Sequence, residues 1–231
     1  MGGELKEKVA QGVAWSMAEK VGTMLLQLAV SLTILRLLNP AIMGVIAIPT
    51  AFLAVAIVIA DSGFSQALIR KGTPTADDYK SVFAFNVGVA LVLYGVLVAL
   101  AGSIARFYDM PEITRIAPVF FLQLPLSAAC AIQNTIFVRT FRFALLSKVT
   151  FASWFIAGMV AIGLALAGFG IWCIVVQRVL QASVRALLLW WLSDWRPCGK
   201  CSRRPLREMA PYSFSLLATD FISTLYNLSL I

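Results

Sequence analysis

The sequence contains no histidine, only 11 acidic residues and four cysteines among 231, and 13% of it is charged. Each shortage removes a class of chemistry. Without histidine there is no imidazole to act as the base of a hydrolase triad or to supply nitrogen ligands to zinc. Cys198 and Cys201 stand in a CGKC stretch, but no second cysteine pair completes a four-ligand zinc site, and no βαβ pattern supports a thioredoxin-like use. Cys130 and Cys173 fall inside apolar runs and read as small hydrophobes. Glycine-rich phosphate loops, serine-nucleophile motifs and paired acids in a polar loop are also missing, which leaves little room for an enzyme and predicts neither cofactor nor metal.

What the chain has instead is apolar surface. It is 60% hydrophobic with a mean hydropathy of +0.87, more than a soluble domain of this length can hide. The expected fold class is therefore an all-α membrane protein, a polytopic helix bundle. A spanning helix needs roughly 20 apolar residues. Such runs occupy residues 13–38, 42–60, 81–105, 113–138, 146–168 and 171–192, and a seventh begins near 212 and runs to 231 without a polar flank, so the sequence reads as cut off. The first run is too long for the hydrophobic region of a signal peptide and has no small-residue cleavage site before it, so the first helix is expected to stay. These runs divide the chain into a six-helix lobe (1–195), a basic linker (196–211) and the start of a further helix (212–231).

Lysine and arginine set the orientation, because they collect in cytoplasmic loops. With the N-terminus inside, thirteen fall on the cytoplasmic side, Lys71, Arg139 and Arg196 among them, against three outside (Arg36, Arg106 and Arg115). The net charge of +8 is then mostly topology, with some contact to anionic lipid heads, and no basic soluble domain exists to bind nucleic acid. The breaks between runs carry ordinary signals. Thr75 three residues before Asp78 predicts a capping box entering the third span, and Pro111 with Glu112 suits the first turn of the fourth. Pro49, Pro118 and Pro125 predict kinks. Ala157, Ala161 and Ala165, with Gly158, predict a close helix-packing seam. Trp190, Trp191 and Trp195 read as a cytoplasmic interface belt.

Three cations fit neither side. Arg178 and Arg185 lie inside the sixth span and share, with Gln181, a face about 60° wide; Gln177 sits at its edge. An arginine at the middle of a span costs about 2.5–3.5 kcal/mol on insertion scales, less if it snorkels. Two arginines on one face snorkelling in opposite directions is the plainer reading, and a wet cavity is the favoured one. In the first span, Ser16, Lys20, Thr23, Gln27 and Ser31 fall within about 80°, with Glu19 at the border. That stripe either lines the same cavity or supplies interhelical hydrogen bonds. Asp61, ending the second span, is a cap or loop residue, a partner for Lys20, or the carrier of a coupling proton or sodium ion. The candidate substrate-binding residues are thus Lys20, Arg178, Arg185, Gln181, Gln27 and Glu19, with Asp61 as the ion-coupling candidate. A cavity dominated by cations favours an anion, and an arginine fork suits phosphate or pyrophosphate.

Several stretches, above all RLLNPAIMG (36–44) and GFSQALI (63–69), followed by YKSVFAFNVGVAL, FYDMPEI and VRTFRFALLSKV in order, give the chain a resemblance to a family. It resembles the N-terminal half of bacterial polysaccharide-export flippases, the Wzx-like branch of the MOP (MVF) superfamily. The resemblance implies one lobe of a two-lobe inner-membrane transporter that moves undecaprenyl-pyrophosphate-linked oligosaccharide by alternating access, with Lys20 at the position of a basic cavity residue and Arg36 matching a recurrent arginine. It implies as partners the lipid-linked oligosaccharide, a proton or sodium counter-ion, surrounding lipid and, in a wider assembly, the polysaccharide polymerase. The rival readings are a MATE-like drug exporter, which would want acidic rather than basic groups deep in this lobe, and a noncatalytic membrane scaffold.

Overall fold

The computed structural model describes residues 2–37, 40–61 and 63–197, and then residues 206, 207, 209, 213, 216, 217, 219 and 222–224; side chains are described from residue 20 onward, residues 40 and 41 excepted. Among the described residues there is no strand. Eight helices follow one another: α1 (Gly2–Leu37), α2 (Pro40–Asp61), α3 (Phe64–Arg70), α4 (Ala76–Phe107), α5 (Glu112–Phe120), α6 (Gln123–Arg139), α7 (Phe143–Leu166) and α8 (Trp172–Leu192). Among the described residues, six segments are long and apolar enough to cross a membrane, namely 20–37, 42–61, 76–107, 112–139, 143–166 and 172–192. The chain is an all-α, multi-pass membrane protein, as its composition predicts. The CGKC stretch and most of the expected seventh span lie outside the described residues.

One span differs from expectation in form. Residues 112–139 are two helices, not one. Pro118 and Pro125 have no N–H to offer Thr114 and Phe121, so the ladder fails between α5 and α6. The freed carbonyls find other donors. Phe121 O accepts from the Leu124 N–H at 2.9 Å and Phe120 O from Gln123 Nε2 at 2.7 Å, while Tyr94 of α4 donates its hydroxyl to Pro118 O at 3.1 Å. Non-helical backbone inside a bilayer is tolerable only with such replacements.

The helices pack in the order α1, α7, α8, α6, α4, α2, with α5 against α4, α8 and α2, and α3 beneath α6 and α4. On α1 the outward stripe is apolar: Val21, Leu25, Leu28, Leu32 and Leu35 are exposed, whereas Thr23, Val30 and Ile34 are buried. That arrangement suits a lipid-facing helix, for which the surrounding solvent is itself apolar. The seam expected on α7 is present. Ala157, Ala161 and Ala165 are buried, and Gly158 lies so close to α1 that a methyl group built on it would stand 2.8 Å from Val30 Cγ2.

The α2–α4 connection is held by polar bonds. Gly63 takes a left-handed φ of 69°, which turns the chain from α2 into α3 and which glycine tolerates without strain. The last carbonyls of α3 are gathered by Arg139, at the end of α6. Its guanidinium donates to Ile69 O at 3.1 Å, Lys71 O at 2.6 Å and Gly72 O at 3.1 Å, and also to Leu68 O. A cation at the negative end of a helix is favourable in itself. The capping box is formed as the sequence predicts: the Thr75 N–H donates to Asp78 Oδ2 at 2.8 Å and the Asp78 N–H to Thr75 Oγ1 at 3.3 Å, and Lys71 Nζ pairs with Asp78 at 2.8 Å. The tryptophan belt is only partly as expected. Trp191 is exposed, but Trp190 and Trp195 turn inward onto Phe83, with ring centroids 6.0 and 5.7 Å away, and Trp190 donates its indole N–H to Ala129 O at 3.0 Å.

Candidate functional site: a cavity between α1, α6, α7 and α8

A cavity of about 490 Å³ opens between four helices. That is within the roughly 300–1,000 Å³ of small-molecule sites. From α1 come Lys20, Thr23, Met24 and Gln27; from α7 come Phe143, Leu146, Ser147 and Thr150; α6 contributes Asn134 and α8 contributes Arg185. The α1 residues follow a helical spacing of three and four, so one face of that helix delivers them all. Phe143 and Leu146 belong to the first turn of α7 and Arg185 to the last two turns of α8, which puts the cavity toward the end of the bundle where α6 hands over to α7.

Its charge is one-sided. Lys20 and Arg185 stand on different helices and line the same space, and no carboxylate is among the described lining residues. Asn134 Oδ1 accepts from one terminal nitrogen of Arg185 at 3.1 Å, which fixes the guanidinium plane. Two polar atoms among the lining residues, Arg185 Nε and Thr23 Oγ1, are buried without a protein partner. Nε–H can only donate, so the atom that completes it must be an acceptor. Buried polar groups left in this state cost about 1–3 kcal/mol each. An oxyanion offers what the cavity lacks: negative charge between two cations and several acceptor oxygens in the plane of a guanidinium.

The other sequence candidates separate. Gln27 faces the cavity. Arg178 is exposed, is absent from the cavity lining, and holds its guanidinium over the Trp154 ring of α7, 5.8 Å from the centroid, a cation–π distance. Trp154 is one turn along α7 from Thr150, and Arg178 is seven residues, about 10 Å, along α8 from Arg185. The pair thus continues the faces that line the cavity. Gln181, between the two arginines on α8, is half-buried and is not part of the lining, and Gln177 is buried. The side chains of Glu19 and Ser16 lie outside the described residues. Asp61 ends α2 away from the cavity lining, and its carboxylate accepts from Ser65 Oγ and from Asn86 Nδ2, the latter at 3.4 Å.

Asn134, Ser147 and Thr150 were not reached from sequence. A signal existed: Asn134 interrupts an apolar span beside Gln133 and Thr135, and Ser147 and Thr150 recur at a three-residue spacing on one face of α7. Without knowing that α1 packs on α7, neither feature points at Lys20.

Two curated relatives align along nearly the whole chain. It is 26% identical over 212 residues, 92% of its length, to the succinoglycan biosynthesis transport protein ExoT of Rhizobium meliloti (strain 1021), covering 43% of that protein. It is 22% identical over 225 residues, 95% of its length, to an uncharacterized membrane protein in the cps region of Klebsiella pneumoniae, covering 46% of it. The chain therefore spans less than half the length of the curated relatives it matches. No solved structure matches it. The profile of the polysaccharide biosynthesis protein family fits residues 33–230, the greater part of the chain, and on that match, with the bundle and its alignment to a polysaccharide transport protein, the chain belongs to the polysaccharide biosynthesis protein family.

Proposed function

We propose that this chain supplies the N-terminal lobe of a flippase that carries undecaprenyl-pyrophosphate-linked oligosaccharide across the bacterial inner membrane, and that Lys20 and Arg185 hold the pyrophosphate. The observation that carries the reading is the meeting of these two cations, from α1 and α8, in one cavity with no described carboxylate on its wall. Membership of a polysaccharide biosynthesis family and likeness to a protein named for succinoglycan biosynthesis transport support a carbohydrate cargo. With the N-terminus cytoplasmic, the cavity lies toward the cytoplasmic leaflet, where such a lipid-linked sugar is made.

In this reading the pyrophosphate leaves the headgroup layer and displaces water from Lys20. Its oxygens then take the Nε–H and the remaining terminal N–H groups of Arg185, while Asn134 keeps the guanidinium turned toward the guest. Gln27, Ser147 and Thr150 meet the first sugar hydroxyls. The prenyl tail stays in lipid. Arg178, held over Trp154, is the next station along the same faces, reached as a second lobe, beginning at about residue 212, rocks against the first.

The test uses the two-lobed protein in proteoliposomes containing a fluorescent pyrophosphate-linked sugar. Lys20→Ala and Arg185→Ala should each slow translocation by at least about tenfold, the equivalent of one lost charge-assisted hydrogen bond. Arg185→Lys should recover only part of the rate, because an ammonium lacks the planar fork. Wild-type rates in both alanine variants, at equal membrane insertion, would refute the assignment.

A further inference from the structure

Residues beyond the sixth span return to the lobe at α3. Leu206, Met209, Ser213 and Leu216 recur at spacings of three and four, which suits one face of a helix. Met209 is buried in a cluster with Phe64, Ala67 and Leu68 of α3, Val82 of α4 and Ile132 of α6, and Leu206 packs against it. Ser213 and Leu216 sit on the turn that leads into α3. A methyl group built on Gly63 would stand 2.8 Å from Ser213 O and 3.0 Å from Leu216 Cβ, so it is the missing side chain that lets them come this near. The seat carries a standing cost, because Ser213 Oγ is buried without a partner among the described residues, and release into water would relieve it.

The other end of α3 is tied to α6. Arg139 donates to the carbonyls of Leu68, Ile69, Lys71 and Gly72, and Asn134 of the same helix holds the Arg185 guanidinium at 3.1 Å. Helix α6 runs unbroken from Gln123 to Arg139, and its far end is the break from α5. We propose that α3 and α6 couple the docking of residues 206–216 to the cavity. While Ser213 and Leu216 sit on Gly63, α3 is fixed at both ends, Arg139 is held, and Asn134 keeps Arg185 turned toward a guest; release of the segment loosens Arg139 and with it Asn134. At about 1.5 Å per residue, Asn134 lies about 16 Å and Arg139 about 24 Å from the break, so a swing of about 2 Å at Arg139 moves Asn134 by about 1.4 Å, enough to open its bond to Arg185. The link from residue 213 to α6 stands on these contacts alone, while its effect on an anion rests on the reading of the cavity given above.

The experiment uses the purified chain in detergent and measures hydrogen exchange over residues 134–139 and 206–219, together with binding of 32P-labelled inorganic pyrophosphate. Gly63→Ala and Met209→Ala should each speed exchange over 206–219 by about tenfold or more and speed it over 134–139 as well. Each should also weaken pyrophosphate binding about fivefold or more, the low end of ordinary coupling between sites. Coupling is reciprocal, so Arg139→Ala should speed exchange over 206–219. In an Asn134→Ala background, Gly63→Ala should make no further difference to pyrophosphate. Met209→Ala keeps the test decisive if Gly63→Ala does not fold, since it loosens the α3 cluster and leaves the turn intact. The inference fails if neither variant changes exchange over 206–219, if 134–139 keeps its wild-type exchange while 206–219 is released, or if Arg139→Ala leaves 206–219 unchanged. Should the wild-type chain bind no pyrophosphate, the reading of the cavity fails, and exchange over 134–139 alone decides the coupling.

Discussion

Gly158 sets how closely α1 can approach α7, and its replacement by alanine offers a quantitative test of the bundle. The added methyl carbon would stand 2.8 Å from Val30 Cγ2, against about 3.4 Å at the near edge of ordinary contact, so about 0.6 Å of movement is needed to restore ordinary contact. Val30 cannot easily turn aside. It is 5% exposed, and a β-branched residue in a helix is confined to one rotamer in roughly 90% of cases. Overpacking of this kind costs about 1–3 kcal/mol. Exchanging glycine for alanine in a helix returns about 0.8–1.0 kcal/mol, so the net loss should be about 0–2 kcal/mol, and greater for Gly158→Val, which brings two further carbons. Val30→Ala removes the colliding atoms. In the pair Val30→Ala/Gly158→Ala the alanine at 158 should therefore be neutral or stabilising, a coupling of about 1 kcal/mol or more within the usual 0.5–3 kcal/mol for residues in contact. Unfolding in mixed micelles with increasing SDS, followed by tryptophan fluorescence, measures all four corners of the cycle. Additivity within about 0.5 kcal/mol would refute the claim that this contact holds the two helices at their spacing. The consequence reaches the candidate site, since Val30 is ten residues along α1 from Lys20, and a shift of α1 against α7 moves Lys20, Thr23 and Gln27 relative to Ser147 and Thr150.

Two further perturbations test the α2–α4 connection. Arg139→Ala removes the donor shared by the carbonyls of Leu68, Ile69, Lys71 and Gly72 and should cost about 1.5–3 kcal/mol, with Arg139→Lys recovering less than half, because a single ammonium cannot span four acceptors. Faster hydrogen exchange over residues 64–72 is the readout, and unchanged exchange would show that α3 ends independently of Arg139. Thr75→Ala should cost about 0.5–2 kcal/mol by opening the capping box, while Thr75→Ser should be close to neutral, as judged by thermal unfolding in detergent.

How far the residues alone could be read differs from element to element. The six spans follow from length and hydropathy, because lipid demands a minimum apolar run and a fully bonded backbone. The Thr75–Asp78 box was readable because a cap depends on residues three apart in the chain. The break at 121–122 was foreshadowed by Pro118 and Pro125, but that they would divide the span into two helices depended on Gln123 and Tyr94 being in place to take up the freed carbonyls. Trp190 and Trp195 turned inward because Phe83 of α4 lies against them, a neighbour that no local pattern announces.

The sequence by itself determined the apolar surroundings, the six spans found among the described residues and the stripe of α1 that carries Lys20, Thr23 and Gln27. Those are properties of a helix and its surroundings, set by spacing along one chain. Only the tertiary structure decided that Lys20 and Arg185 share a cavity, that Asn134 orients one of them, and that Arg178 rests on Trp154. Each of these contacts joins helices far apart in the chain, so it depends on which helix packs beside which and at what rotation, quantities fixed by contacts such as Gly158 against Val30 and invisible in any single span.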